Sequence, residues 1–291
     1  MYTDVLIPVD GSDASRRALE YGVTFATNFG ATIHALYVLD REALPVSEEH
    51  GLPDETITAE VADDVASVFE DVQMYGSDAG LSVKTERREG DPVTEILQYV
   101  AEHGCDLIVL SPTQESRFSR FLRRSVTTQV VQTASVPVVT VLANETRDTP
   151  EWETILLATD GRAGSNRATS EAVELAAALD ANLHIVYVVE DRFLNSPVFR
   201  DVLEQEGERA TMAVSNRATQ SGISTVTEIT QGNPADELRD YATENGVDLV
   251  VMGTYGRTGL DRLMLGSVTR RMIRRADTPI LTVRAQEHTS D

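Results

Sequence analysis

The sequence predicts two tandem copies of a doubly wound α/β domain, each built on a parallel sheet, and three observations predict it. The chain has 291 residues, long for one domain and comfortable for two of roughly 140 residues with separate cores. A repeat runs through it: Val5-Leu-Ile-Pro-Val-Asp10-Gly11 returns as Ile155-Leu-Leu-Ala-Thr-Asp160-Gly161, displaced by 150 positions. Short apolar runs alternate with longer amphipathic ones throughout, the signature of β-α units.

The same displacement carries Ser15, Arg17 and Ala18 onto Ser165, Arg167 and Ala168, and His34, Tyr37 and Val38 onto His184, Tyr187 and Val188. From Gly90-Asp-Pro92, matched by Gly232-Asn-Pro234, the displacement is 142, taking Asp106 to Asp248, Ser125 to Ser267 and Pro137 to Pro279. The first copy therefore holds eight extra residues, which the composition around Pro45 to Asp54 best accommodates. Residues 1–143 read as the first domain, Asn144 to Trp152 as a linker, and 153–291 as the second domain. In the second copy the predicted strands are Thr154–Thr159, Leu183–Val189, Ser224–Thr230, Asp248–Met252 and Pro279–Arg284, all read as buried. Ser165–Leu179, Val198–Ala218, Pro234–Asn245 and Ser267–Ala276 have helical spacing, and Pro234 suits a first helical turn.

Composition narrows the function classes. There are 47 acidic and 25 basic residues, net charge −22, and Lys84 is the single lysine. Such a surface disfavours nucleic acid and anionic membrane partners. Acidic excess with almost no lysine resembles proteins of halophilic archaea. No apolar run is long enough for a membrane span, and the start lacks the regions of a signal peptide, so the expected location is cytoplasmic. Cys105 is the one cysteine, which excludes an intrachain disulfide and a cysteine-cluster metal site.

The chemistry concentrates after the second copy's fourth strand. There the chain reads Gly253-Thr-Tyr-Gly256-Arg257, then continues to Gly266-Ser267-Val268-Thr269 at the start of a helix. Glycines after a buried strand let backbone N–H groups approach a ligand oxygen. Ser267 is placed to cap the helix, whose start is an anion site by geometry and dipole. From Gly253 to Arg275 there are six arginines and one acid, Asp261. Arg270, Arg271, Arg274 and Arg275 read as complements to the helix dipole. Arg257, inside the loop, is the better phosphate ligand. Asp160 ends the first strand and faces this loop if those strands adjoin at the switch point. It also fits a turn aspartate that caps its own helix, a role open equally to Asp10.

The spacing Gly-x2-Gly-x9-Gly-Ser after the fourth strand resembles that of ATP-binding members of the universal stress protein family, nearly the whole chain matching twice. The resemblance implies a five-stranded sheet of order 3-2-1-4-5, the adenine nucleotide alpha hydrolase-like fold. It implies ATP with its base and ribose near Ala158, Thr159, Asp160 and Val188. The phosphates would then lie on Met252, Gly253, Gly256, Arg257, Gly266, Ser267, Val268 and Thr269. Family members commonly hold a divalent ion, so Mg2+ with the phosphates is implied by resemblance only. The family's pairing through the last strand implies an intramolecular pseudo-dimer through Val136–Leu142 and Pro279–Arg284. Homo-oligomers and an unknown protein partner stay open.

The first copy departs from the pattern: Gly253, Gly256 and Gly266 correspond to Ser111, Gln114 and Arg124, and Pro112 removes an N–H. Arg117, Arg120, Arg123 and Arg124 offer a different way to hold an anion. His34 and His184 read as core or sheet-surface histidines without a metal partner at ligand spacing, and Cys105 has no basic neighbour to activate it. No catalytic set is legible, so a nucleotide-dependent stress-response or regulatory module is the leading expectation. An enzyme cleaving ATP at the α-phosphate is the alternative, but the Ser-Gly-Gly-x-Asp-Ser stretch such enzymes carry is absent: residues 10–15 and 160–165 read Asp-Gly-Ser-Asp-Ala-Ser and Asp-Gly-Arg-Ala-Gly-Ser. A nucleotide-independent interaction subunit is the third reading.

Overall fold

The computed structural model describes residues 1–40, 55–112, 125–142, 151–162, 165–190, 197–254 and 265–285, with backbone alone at 55–63 and 197–199. The chain divides into two compact units, Tyr2–Val130 and Val131–Asp291 together with Met1. The first unit contains β1 (Asp4–Pro8), α1 (Asp13–Phe29), β2 (Thr32–Leu39), α2 (Glu55–Asp78), β3 (Val83–Glu89), α3 (Pro92–His103) and β4 (Leu107–Leu110), with α4 (Val126–Thr133) crossing the division. Its strands are parallel in the order β3-β2-β1-β4.

The second unit contains β5 (Val138–Thr140), β6 (Thr154–Ala158), α5 (Asn166–Leu179), β7 (Asn182–Glu190), α6 (Pro197–Gln220), β8 (Thr225–Gly232), α7 (Pro234–Glu244), β9 (Leu249–Gly253), α8 (Ser267–Arg275) and β10 (Ile280–Val283). The parallel order is β8-β7-β6-β9-β10, the expected 3-2-1-4-5. Within this unit β5 also runs antiparallel to β10, Leu281 opposite Val139, and the Thr282 hydroxyl donates to the Val138 carbonyl at 3.0 Å.

The repeat is visible in atomic detail. Asp106 accepts from the backbone N–H groups of Thr3 and Asp4, and Asp248 accepts from those of Glu153 and Thr154. Each carboxylate thus satisfies the free donors where a first strand begins. Gly90 and Gly232 both have φ 151°, and each precedes an Asp or Asn N-cap followed by proline.

Two details differ from the sequence reading. β8 is not buried: Val226 is 46% exposed, because β8 lies at the sheet edge with a neighbour only on the β7 side among the described residues. Trp152, read as the end of the linker, is buried with 1% of its surface exposed. The insertion around 45–54 and residues 143–150 of the linker lie outside the described residues. Among the described residues no helix is long and apolar enough to cross a membrane.

Candidate functional site

β6 lies between β7 and β9, with Leu157 opposite Ile185 on one side and Val251 on the other. Winding reverses between β6 and β9, and a crevice opens beyond the carboxyl ends of their strands. Ala158 and Met252 are register partners at that edge. Beneath it Leu156, Val186, Val250, Leu238 and Met272 form an apolar core, on which Ala158, Val188 and Val268 pack as partly buried neighbours. The floor of the crevice is therefore the top of the core, which fixes its position.

A cavity of about 310 Å³ occupies this place. Ala158, Thr159, Asp160, Val188, Met252, Gly253, Gly266, Ser267, Val268 and Thr269 all line it. The remaining two sequence candidates, Gly256 and Arg257, lie outside the described residues, as do Arg117, Arg120, Arg123, Arg124 and Gln114 of the first copy.

The turn that delivers Asp160 is built locally. Gly161 has φ 72°, and a Cβ placed there would lie 2.9 Å from Ala210 Cβ, so glycine is required on both counts. Its N–H donates to Thr159 Oγ1 at 3.1 Å, while Asp160 Oδ1 accepts from the Arg162 N–H at 3.2 Å. In the first copy Asp10 Oδ1 accepts from the Ser12 N–H at 3.0 Å. Both aspartates therefore serve their own turns, and Asp160 also lines the cavity.

On the other wall, the Gly266 N–H donates to the Thr254 carbonyl at 2.9 Å and closes the excursion at its base. Thr254 is itself tied to β10 through its N–H on the Val283 carbonyl at 3.2 Å. Gly266, not Ser267, is the N-cap of α8; Ser267 is the first helical residue, and no side chain caps this helix. The expected serine cap is thus corrected: a cap must precede the helix, and here the backbone turns helical at Ser267. Gly266 has φ −54° and ψ 147°, an extended backbone open to any residue. Its value at the site is the missing side chain, not a special dihedral. The first N–H groups of α8 have no intrahelical acceptor and face an anion's natural position. The Thr269 hydroxyl is engaged elsewhere, donating to the Gly253 carbonyl at 3.0 Å, as Thr127 does to Ser111 at 3.1 Å. Thr269 is left with its N–H for a ligand.

Sequence reasoning missed several lining groups, among them Ser165, Tyr187, Glu190, Asn233 and Arg271. The sequence places Arg271 among the arginines that complement the helix dipole. Its Nη1 instead donates to Asn233 Oδ1 at 2.6 Å, and Arg270 Nη2 donates to the Leu265 carbonyl at 3.0 Å. Arg274 and Arg275, exposed in the last turn, keep the dipole role. The signal for Arg271 was its spacing, one helical turn beyond Ser267.

The groups set aside on sequence behave as ordinary interior residues, with one addition. His34 is fully buried; its Nε2 pairs with Asp4 Oδ1 at 2.9 Å and its Nδ1 with the Tyr99 hydroxyl at 3.0 Å. His184 Nδ1 pairs with the Tyr241 hydroxyl at 3.0 Å. Burial pushes the Cys105 thiol up to about 12, with Asp4 and Asp106 adding to it, so the thiolate is suppressed. Among the described residues no cluster of three or more His, Cys, Asp or Glu side chains is placed to hold a metal ion.

The universal stress protein family model matches residues 1–141 and again 151–284. A universal stress protein of Methanocaldococcus jannaschii is 36% identical over 140 residues, covering 46% of this chain and 82% of that protein. One from Mycolicibacterium smegmatis is 27% identical over 289 residues and covers 96% of both chains. The crystal structure of a universal stress protein from Archaeoglobus fulgidus superposes with a TM-score of 0.72 at 22% identity, covering 98% of this chain and 97% of that one. That likeness establishes the fold, and the two family matches establish the tandem arrangement. The chain belongs to the universal stress protein family, with two of the family's domains in tandem.

Proposed function

We propose that this protein binds one adenine nucleotide, ATP, in its second domain and acts as a nucleotide-dependent stress-response or regulatory module of the cytoplasm. The observation that carries the reading is the one cavity lined by ten candidate residues from three separate strand ends and one helix start. Its volume of about 310 Å³ falls in the range of small-molecule sites. The α8 start supplies backbone donors for phosphate, and the Asp160 carboxylate is an acceptor suited to ribose hydroxyls or an exocyclic amine. Mg2+ would accompany the phosphates, held chiefly by their own oxygens. The reading is of a nucleotide-binding module with at most slow ATP hydrolysis.

The two domains differ where the ligand would lie. Ser111 and Arg124 occupy the positions of Gly253 and Gly266, and backbone donors reach phosphate only where no side chain intervenes. Gly266→Arg should abolish ATP binding and leave the fold intact, since the backbone there suits any residue. Arg124→Gly should create no site, because Ser111, Pro112 and Gln114 remain. Titration calorimetry on both variants, with mass spectrometry of any ligand released from purified wild type, tests this. Two sites of similar affinity, or full binding by Gly266→Arg, would overturn the assignment to the second domain.

A further inference from the structure

Arg271 and Asn233 meet inside the cavity in an arrangement that the helix cap alone does not need. Asn233 Oδ1 accepts from the Ala235 N–H at 3.2 Å, which caps α7, and from Arg271 Nη1 at 2.6 Å. Both neighbours are donors, so the oxygen of the amide must face them. The amide Nδ2 therefore points elsewhere as a second donor. Arg271 keeps its other N–H groups, and both residues are half-buried and line the cavity. The corner presents donors only.

The first copy separates cap from corner. Displacement by 142 places Asp91 and Gln129 at the positions of Asn233 and Arg271. Asp91 still caps its helix, accepting from the Thr94 N–H at 2.8 Å. The cap survives without the arginine, while the local formal charge passes from positive to negative. Among the described residues lining the cavity Arg271 is the one cation, set against the carboxylates of Asp160 and Glu190. A guanidinium that is already oriented loses little freedom on meeting an anion.

Resting on the nucleotide reading above, we propose that Arg271, oriented by Asn233, is a specificity-determining residue that recognises phosphate charge, so the site favours nucleotides over nucleosides. A base lone pair offers the same acceptor chemistry, and the test separates the two sources. ATP, AMP and adenosine are titrated into wild type, Arg271→Gln, Arg271→Lys and Asn233→Asp, with thermal melts as a check on folding. Arg271→Gln should weaken ATP about 10- to 100-fold, the scale of a charge-assisted hydrogen bond, and leave adenosine within about twofold. Arg271→Lys should recover part of the ATP affinity by restoring the charge. Asn233→Asp, which keeps the cap, should also weaken ATP by pairing the guanidinium with a carboxylate. Equal losses for ATP and adenosine would assign the pair to the base and overturn the phosphate role, as would ATP affinity unchanged by Arg271→Gln. Wild type that binds none of the three ligands would instead overturn the nucleotide reading itself, and this inference with it.

Discussion

His34 shows how one buried side chain couples the fold to pH. Burial pushes its imidazole below the ordinary value of 6.5, and the hydrogen bond it donates to Asp4 only partly offsets this; Lys84 and His103 add to the lowering. For Asp4, burial alone would raise the pKa, but hydrogen bonds from His34 and Thr3 and the nearby Lys84 hold it below 3.8. A depressed histidine binds fewer protons folded than unfolded, so its contribution is present above 6.5 and is lost as pH falls from there toward its folded value. The depressed Asp4 contributes above 3.8 and its share is lost only at lower pH. His184, with the Tyr241 hydroxyl, is likewise lowered by burial, but Thr154 stands where Asp4 does in the other copy. His34→Asn should therefore cost stability at pH 7.5 and flatten the decline between pH 7.5 and 5.5. Urea unfolding at fixed high salt, where overall charge effects are screened, measures both. A variant with the wild-type slope would remove His34 from the account.

The start of α7 joins stability to the site. Gly232 has φ 151°, and a Cβ there would collide with Glu237 Oε1. Glu237 in turn accepts from the Thr230 hydroxyl at 2.6 Å, so the glycine lets one carboxylate brace the strand end against the helix. Gly232→Ala should cost about 1–3 kcal/mol through strain and the displaced acid, and should shift Asn233 enough to weaken ATP. Chemical unfolding and calorimetry would show the two losses together; an unchanged unfolding midpoint would contradict it. This element also shows what the sequence can and cannot tell. Pro234 announces a helix start because proline fixes its own φ and the first turn needs no N–H from it. The strands and helices of the second copy were legible to within one or two residues for the same reason: periodicity is local. That β8 is exposed was not legible, since its Val, Ile and Thr content is shared by edge and centre and only the strand order decides. The candidate site was read from Gly266-Ser267 and Asp160-Gly161, whose turns are written in sequence. Arg271 and Asn233 stand 38 positions apart, and His34 and Asp4 stand 30 apart. Neither pairing follows from any local rule: the first depends on α8 packing beside the start of α7, and the second on β1 pairing with β2.

Net charge acts on the whole chain at once. With 47 acidic residues against 25 basic, like-charge pairs outnumber attractive ones, and compaction brings them closer. Among the described residues several ion pairs lie at the surface, such as Arg16 with Asp71 at 3.5 Å and Arg87 with Glu89 at 3.1 Å, and such pairs contribute roughly 0–1 kcal/mol each. Salt therefore screens more repulsion than attraction. Between about 0.1 M and 1 M the screening length falls from roughly 10 Å to 3 Å, reaching the spacing of neighbouring surface carboxylates. The melting temperature should rise across 0.1 to 2 M KCl, as the excess of acidic over basic residues implies. Nucleotide binding should respond with the opposite sign, because ions also screen Arg271 and compete with phosphate at the α8 start. One KCl series, read by melting temperature without ligand and by ATP titration, separates the effects. Stability that stays flat or falls would show that repulsion does not limit the fold. ATP affinity that rises with salt would show that phosphate charge does not drive binding.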